Sequence, residues 1–76
     1  MTRTVRIALC DPGGEVLGAL PPFELETPWW QDTGPAVVEA RRRYGVELTI
    51  LRIVDTEDRW PPHGGRVTYL AEVDGP

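Results

Sequence analysis

The sequence predicts an α+β domain: a mainly antiparallel sheet carrying one principal helix, in the order β-β-α-β-β. Alternating apolar and polar residues mark TVRIALC near the start and RVTYLAEV near the end, with the apolar run VELTILRIV between them. One segment, from Asp32 to Gly45, has helical spacing and a stop signal. Clusters of Pro and Gly separate these runs and supply the reversals.

The first strand covers Thr4 to Cys10, with Val5, Ile7 and Leu9 on one face. DPGG follows, where Pro starts a turn and glycine accepts positive φ, so the chain should reverse into Glu15 to Leu20. Gly18 within that return strand predicts a bulge or a close backbone approach. Pro21, Pro22 and Pro28 exclude a continuous helix in PPFELETPWWQDT, leaving room for a short extended piece around Phe23 to Glu26.

For the helix, Asp32 or Thr33 is the capping candidate, Pro35 suits the first turn, and Gly45 suits a left-handed C-terminal cap. Val37, Ala40, Arg41 and Tyr44 fall along one face, with Val38 beside them. In VELTILRIV, Val46, Leu48 and Ile50 share one face while Leu51 and Ile53 lie on the other, which predicts a central strand covered on both sides. DTEDRWPPHGG reads as a loop, and Arg66 to Val73 then places Val67, Tyr69, Ala71 and Val73 together, forming a long hairpin with VELTILRIV.

Seventy-six residues make a single domain, residues 1–76, too small for a large core and with no metal or disulfide staple in view. A lone cysteine, Cys10, fits a reducing cytoplasmic setting, and nothing resembles a signal peptide or a membrane span. A net charge of −4 disfavours wholesale binding to nucleic acid, though a local arginine patch can hold a small anion. All basic residues are Arg, and the chain lacks Lys, Asn and Ser, a bias expected of a GC-rich bacterial genome. Without serine, serine-hydrolase chemistry is excluded.

Three stretches, in this order and spacing, resemble the Nudix fold: the opening hairpin with DPGGEVL, the helix end VEARRRYGV, and the strand GGRVTYLAEVDG. Active members carry G-x5-E-x7-R-E-U-x-E-E-x-G-U, with U aliphatic. Anchoring that signature on Gly45 and Val46 puts a matching Glu on Glu39 and the aliphatic position on Ala40. The family's Arg then falls on Val38, its upstream Glu on Trp30 and its opening Gly on Glu24. Its adjacent pair of metal-holding glutamates falls on Arg42 and Arg43. Mg²⁺ requires oxygen ligands, and a guanidinium repels it and cannot deprotonate to adapt. The resemblance therefore implies a degenerate domain that has lost the metal and hydrolase chemistry, with no cofactor and no catalytic residue. It is also similar to Nudix-like N-terminal domains that precede phosphotransferase domains in bacterial proteins, which implies an accessory or recognition role. Full Nudix domains are roughly twice as long, so the chain is a fragment of a longer domain or a minimal version completed by another copy.

The remaining constellations have structural readings as well as functional ones. Trp29, Trp30 and Trp60 can form a stacking platform or interface anchor, or can cap an undersized core. Arg42 and Arg43 can hold an anion through paired donors, or can complement the helix dipole as a solvated end together with Arg41. His63 is a lone loop histidine without partner ligands, Cys10 ends an apolar strand as a buried thiol, and Asp55, Glu57, Asp58 and Arg59 form a solvated loop.

The expected function is a non-catalytic recognition or assembly module, contacting a protein partner, another copy of itself or a fused enzyme through exposed strand edges. The contact candidates are Trp29, Trp30, Arg42, Arg43 and Trp60. Two alternatives stand beside it. One is a residual hydrolase of nucleoside diphosphate derivatives using Glu24, Glu26, Glu39 or Glu72, and the other a small-molecule binder using the tryptophans.

Overall fold

The computed structural model describes residues 2–56 and 65–73. They form an α+β domain in which one helix lies on a mixed five-stranded sheet. The elements are β1 (Arg3–Cys10), β2 (Val16–Ala19), β3 (Phe23–Leu25), α1 (Gly34–Tyr44), β4 (Leu48–Thr56) and β5 (Arg66–Val73). The strand order is β2-β1-β5-β4, and β3 pairs with β1 on the same edge as β2.

Two features depart from the predicted β-β-α-β-β order and mainly antiparallel sheet. The short extended piece in the proline-rich segment is a strand in its own right: β3 sets Phe23 opposite Val5 and Leu25 opposite Arg3. The centre of the sheet is a parallel pair, with Val5 beside Val67, Ile7 beside Tyr69 and Leu9 beside Ala71. A parallel pair needs a long crossover connection, which β2, β3, α1 and β4 supply here.

Period-two patterning predicts the core side of this pair well. Val5, Ile7, Val67, Tyr69 and Ala71 are fully buried, and Phe23, Leu25, Trp30 and Leu48 join them. The helix adds Ala36 and Ala40, also fully buried. Small side chains at i and i+4 let the helix backbone approach the sheet closely. Val37 and Tyr44 pack at the margin, but Val38 is 65% exposed and Arg41 points to solvent, so the buried stripe is rotated from the predicted face. The Arg41 guanidinium lies 3.4 Å from the Glu47 carboxylate, both in solvent.

Thr33 is the N-cap, yet its side chain makes no capping bond. Its carbonyl instead accepts from the N–H groups of Ala36 and Val37 at 3.0 and 3.2 Å. Pro35 occupies the first turn as expected, and Gly45 ends the helix at φ 66°, donating its N–H to the Arg41 carbonyl at 2.9 Å.

The first reversal is built on Asp11. Its carbonyl accepts from Gly14 N–H and its carboxylate from Glu15 N–H, both at 2.9 Å, with Gly14 at φ 88°. Opposite Leu9 and Cys10, β2 steps from Gly18 to Val16, so Leu17 is the extra residue of a bulge beside the predicted glycine.

The sequence reading of VELTILRIV as a central, doubly covered strand is corrected. Among the described residues β4 is the edge of the sheet and pairs with β5 alone. Its apolar residues appear on both faces because two bulges break the alternation, between Ile50 and Arg52 and between Ile53 and Asp55. Each bulge shifts the phase by one residue and leaves Leu51 and Val54 as the extra residues. Burial is not the cause: everything from Leu51 to Thr56 is exposed.

Candidate functional site

The helix end is resolved by charge pairing. Glu39 Oε1 accepts from Arg42 and from Arg43 Nε, the latter at 2.7 Å. The Arg42 and then the Arg43 hydrogen bonds pull the Glu39 carboxyl down from 4.5 to about 2. Arg43 also stacks over Phe23, 5.5 Å from the ring centre, and Phe23 meets Tyr44 at 6.4 Å with the rings tilted. The Tyr44 hydroxyl donates to the Pro21 carbonyl at 3.3 Å. The arginines are thus held by an acid three and four residues earlier and by a ring, which ties the helix C-terminus to the segment entering β3. Both arginine side chains stay accessible, at 67% and 41% exposure.

The tryptophans separate. Trp30 is buried among the core residues, while Trp29 is 44% exposed. Trp60 lies outside the described residues, as do His63, Glu57, Asp58 and Arg59. Cys10 is buried. Of the contact candidates within the described residues, Arg42 and Arg43 share one helix end and Trp30 belongs to the core. Glu24, Glu26, Glu39 and Glu72 do not converge. No group of three acidic, histidine or cysteine side chains that could hold a metal occurs among the described residues.

What patterning missed is a buried arginine. Arg3 shares the inward face of β1 with Val5 and Ile7 and is 1% exposed. Its guanidinium donates to the Trp29 carbonyl and the Tyr69 hydroxyl, each at 2.6 Å, to Thr27 Oγ1 at 3.3 Å, and to the Asp32 carbonyl. The Tyr69 hydroxyl passes the chain on by donating to the Trp30 carbonyl. Burial pushes the Tyr69 phenol above its ordinary value of 10, against the opposing pull of the Arg3 charge. A buried charge needs compensation, and here carbonyl dipoles and hydroxyls supply it rather than a carboxylate. The result is a polar knot fastening TPWWQDT to the centre of the sheet. The signal was available: the parity that sends Val5 and Ile7 inward sends Arg3 there too.

The sheet face away from α1 is polar. Arg6, Asp55, Thr56, Arg66 and Thr68 line a depression of about 30 Å³, room for about two waters rather than a substrate. Beside it runs the β4 edge. Leu51, Ile53 and Val54 are 51%, 41% and 47% exposed along a strand whose second side pairs with no described strand. Register fixes the facing of its charges: Arg52 pairs with Leu70 and Asp55 with Thr68, both on the open face. The bulge at Val54 makes this happen, since residues three apart in a regular strand face opposite ways. Neither Arg52 nor Asp55 makes an ion pair among the described residues. No described helix is long and apolar enough to cross a membrane.

Comparison with protein-family models, curated proteins and solved structures gave no match to this chain.

Proposed function

We propose that this domain is a non-catalytic recognition and assembly module whose working surface is the β4 edge. The observation that carries the reading is a nine-residue edge strand with three large apolar side chains in water. Free strand edges template pairing with another chain. Natural edges are protected by several devices, and β4 carries bulges but lacks one of the others, an inward-pointing charge. The core-facing residues of β4, namely Leu48, Ile50, Ile53 and Thr56, include none. The Nudix resemblance supports the same reading from the other side, because the helix positions that would hold metal carry arginines bonded to Glu39. A cytoplasmic setting accords with the single buried cysteine.

Site-specific photo-crosslinking in the producing cells tests this. A crosslinking residue at position 54 should capture a defined protein species that the same residue at position 38 does not. Val38 is the control because it is equally apolar and more exposed, at 65%, but sits on the helix. Equal capture from both positions, or metal-dependent hydrolysis of nucleoside diphosphate derivatives by the purified domain, would overturn the proposal.

A further inference from the structure

We infer that the occupant of the β4 edge is β4 of a second copy, paired antiparallel about a two-fold axis with Arg52 opposite Asp55 of the partner subunit. This rests on the assembly reading above and names its partner.

A two-fold interface is self-complementary: if residue i meets residue j, then j meets i. A strand that pairs with itself must therefore carry, on one face, groups that match when its direction is reversed. β4 does. Arg52 and Asp55 carry opposite charges, both face the open side, and neither has an ion-pair partner among the described residues. Residues directly opposite each other on antiparallel strands share a face, so the alignment that sets Arg52 against Asp55 makes two ion pairs, one at each end of the contact.

The same alignment brings Ile53 against Val54 of the partner subunit twice, covering two of the three exposed apolar side chains. Leu51 falls opposite Thr56 of the partner subunit, a β-branched neighbour. Moving the register loses this match. Centring the pair on Arg52 sets two guanidiniums face to face, and centring it on Ile53 sets Arg52 against Val54 and Leu51 against Asp55. One alignment satisfies charge and apolar contact together. It depends on the second bulge, which puts Arg52 and Asp55 on a common face.

The test is a charge exchange read by sedimentation equilibrium. The wild-type domain should be a dimer in reversible exchange with monomer. Arg52→Asp and Asp55→Arg each replace two attractive pairs by two repulsive ones and should weaken the dimer by about tenfold or more. The double variant Arg52→Asp/Asp55→Arg restores opposite charges across the axis and should recover wild-type association. Circular dichroism of all three variants should match wild type, since both positions are exposed. A wild-type monomer at millimolar concentration overturns self-pairing while leaving the assembly reading to the crosslinking result. A dimer indifferent to the single substitutions, or not rescued by the exchange, overturns the register.

Discussion

Replacing Arg3 should be the most damaging single change in this domain. Its guanidinium makes four hydrogen bonds, to Trp29, Thr27, Asp32 and Tyr69. Bonds to a charged group contribute about 1.5–3 kcal/mol each, but members of one network do not add. Deleting the donors leaves buried neutral acceptors unpaired, at about 1–3 kcal/mol each, so the loss of several together costs about 3–5 kcal/mol. A domain of this size has roughly 4–11 kcal/mol in total, at ~0.05–0.15 kcal/mol per residue. Arg3→Met, which keeps the aliphatic volume and deletes the donors, should therefore remove a large part of the stability and lower Tm by at least about 12 °C. Arg3→Lys should fall between, since a single ammonium cannot span the Trp29 and Asp32 carbonyls as a fork does. Urea unfolding followed by tryptophan fluorescence measures both variants, with Trp30 reporting release of the loop from the core. If Arg3→Met unfolds within about 0.5 kcal/mol of wild type, the polar knot is not what holds TPWWQDT down.

Other expectations concern the helix end and the titrating groups. Gly45→Ala meets no atom within 4 Å of its new Cβ, so its cost is conformational alone, about 1–2 kcal/mol at φ 66°, while Gly45→Asn should lose less. Chemical unfolding of both variants measures the difference. The Glu39 carboxyl, held at about 2 by Arg42 and Arg43, contributes stability that is present above pH 4.5 and fades as pH falls toward 2. Carboxyl NMR should show that low midpoint, and Arg42→Ala should move it upward. Tyr69 runs the other way: its phenol is raised by burial, so its contribution is whole below pH 10 and is lost as alkali drives ionisation in the unfolded chain. Ultraviolet titration should show one tyrosine ionising late, and Tyr69→Phe should abolish that phase.

Where local chemistry decides the structure, the sequence is a good guide. Gly45 after Tyr44, Pro35 in the first turn and DPGG between two strands each specify a backbone state, and each is found as expected. The alternation in RVTYLAEV also reads directly, because β5 is an inner strand without a bulge on its β1 side. VELTILRIV misled because a bulge and a second buried face leave the same trace in a one-dimensional pattern. The long pairing of β1 with β5 was equally hidden, since nothing in either run announces its distant neighbour. As for candidate residues, charge type pointed to Arg42 and Arg43, but only geometry reveals that Glu39 occupies both. Arg3 escaped notice for the opposite reason, as a charge at an inward position that alternation alone would have flagged.

The parallel seam between β1 and β5 also governs how the chain acquires its shape. Thr4 lies beside Arg66, so β1 finds its main neighbour in a strand made some sixty residues later. Until that neighbour arrives, β1 has only the short β2 and β3 to lean on. Ordering so long a loop before any reward slows the search for the native state and keeps apolar side chains and unpaired strand edges available to wrong partners meanwhile. Once the seam closes, its amides should be among the slowest to exchange, since the core strands of a fold open at close to its full stability.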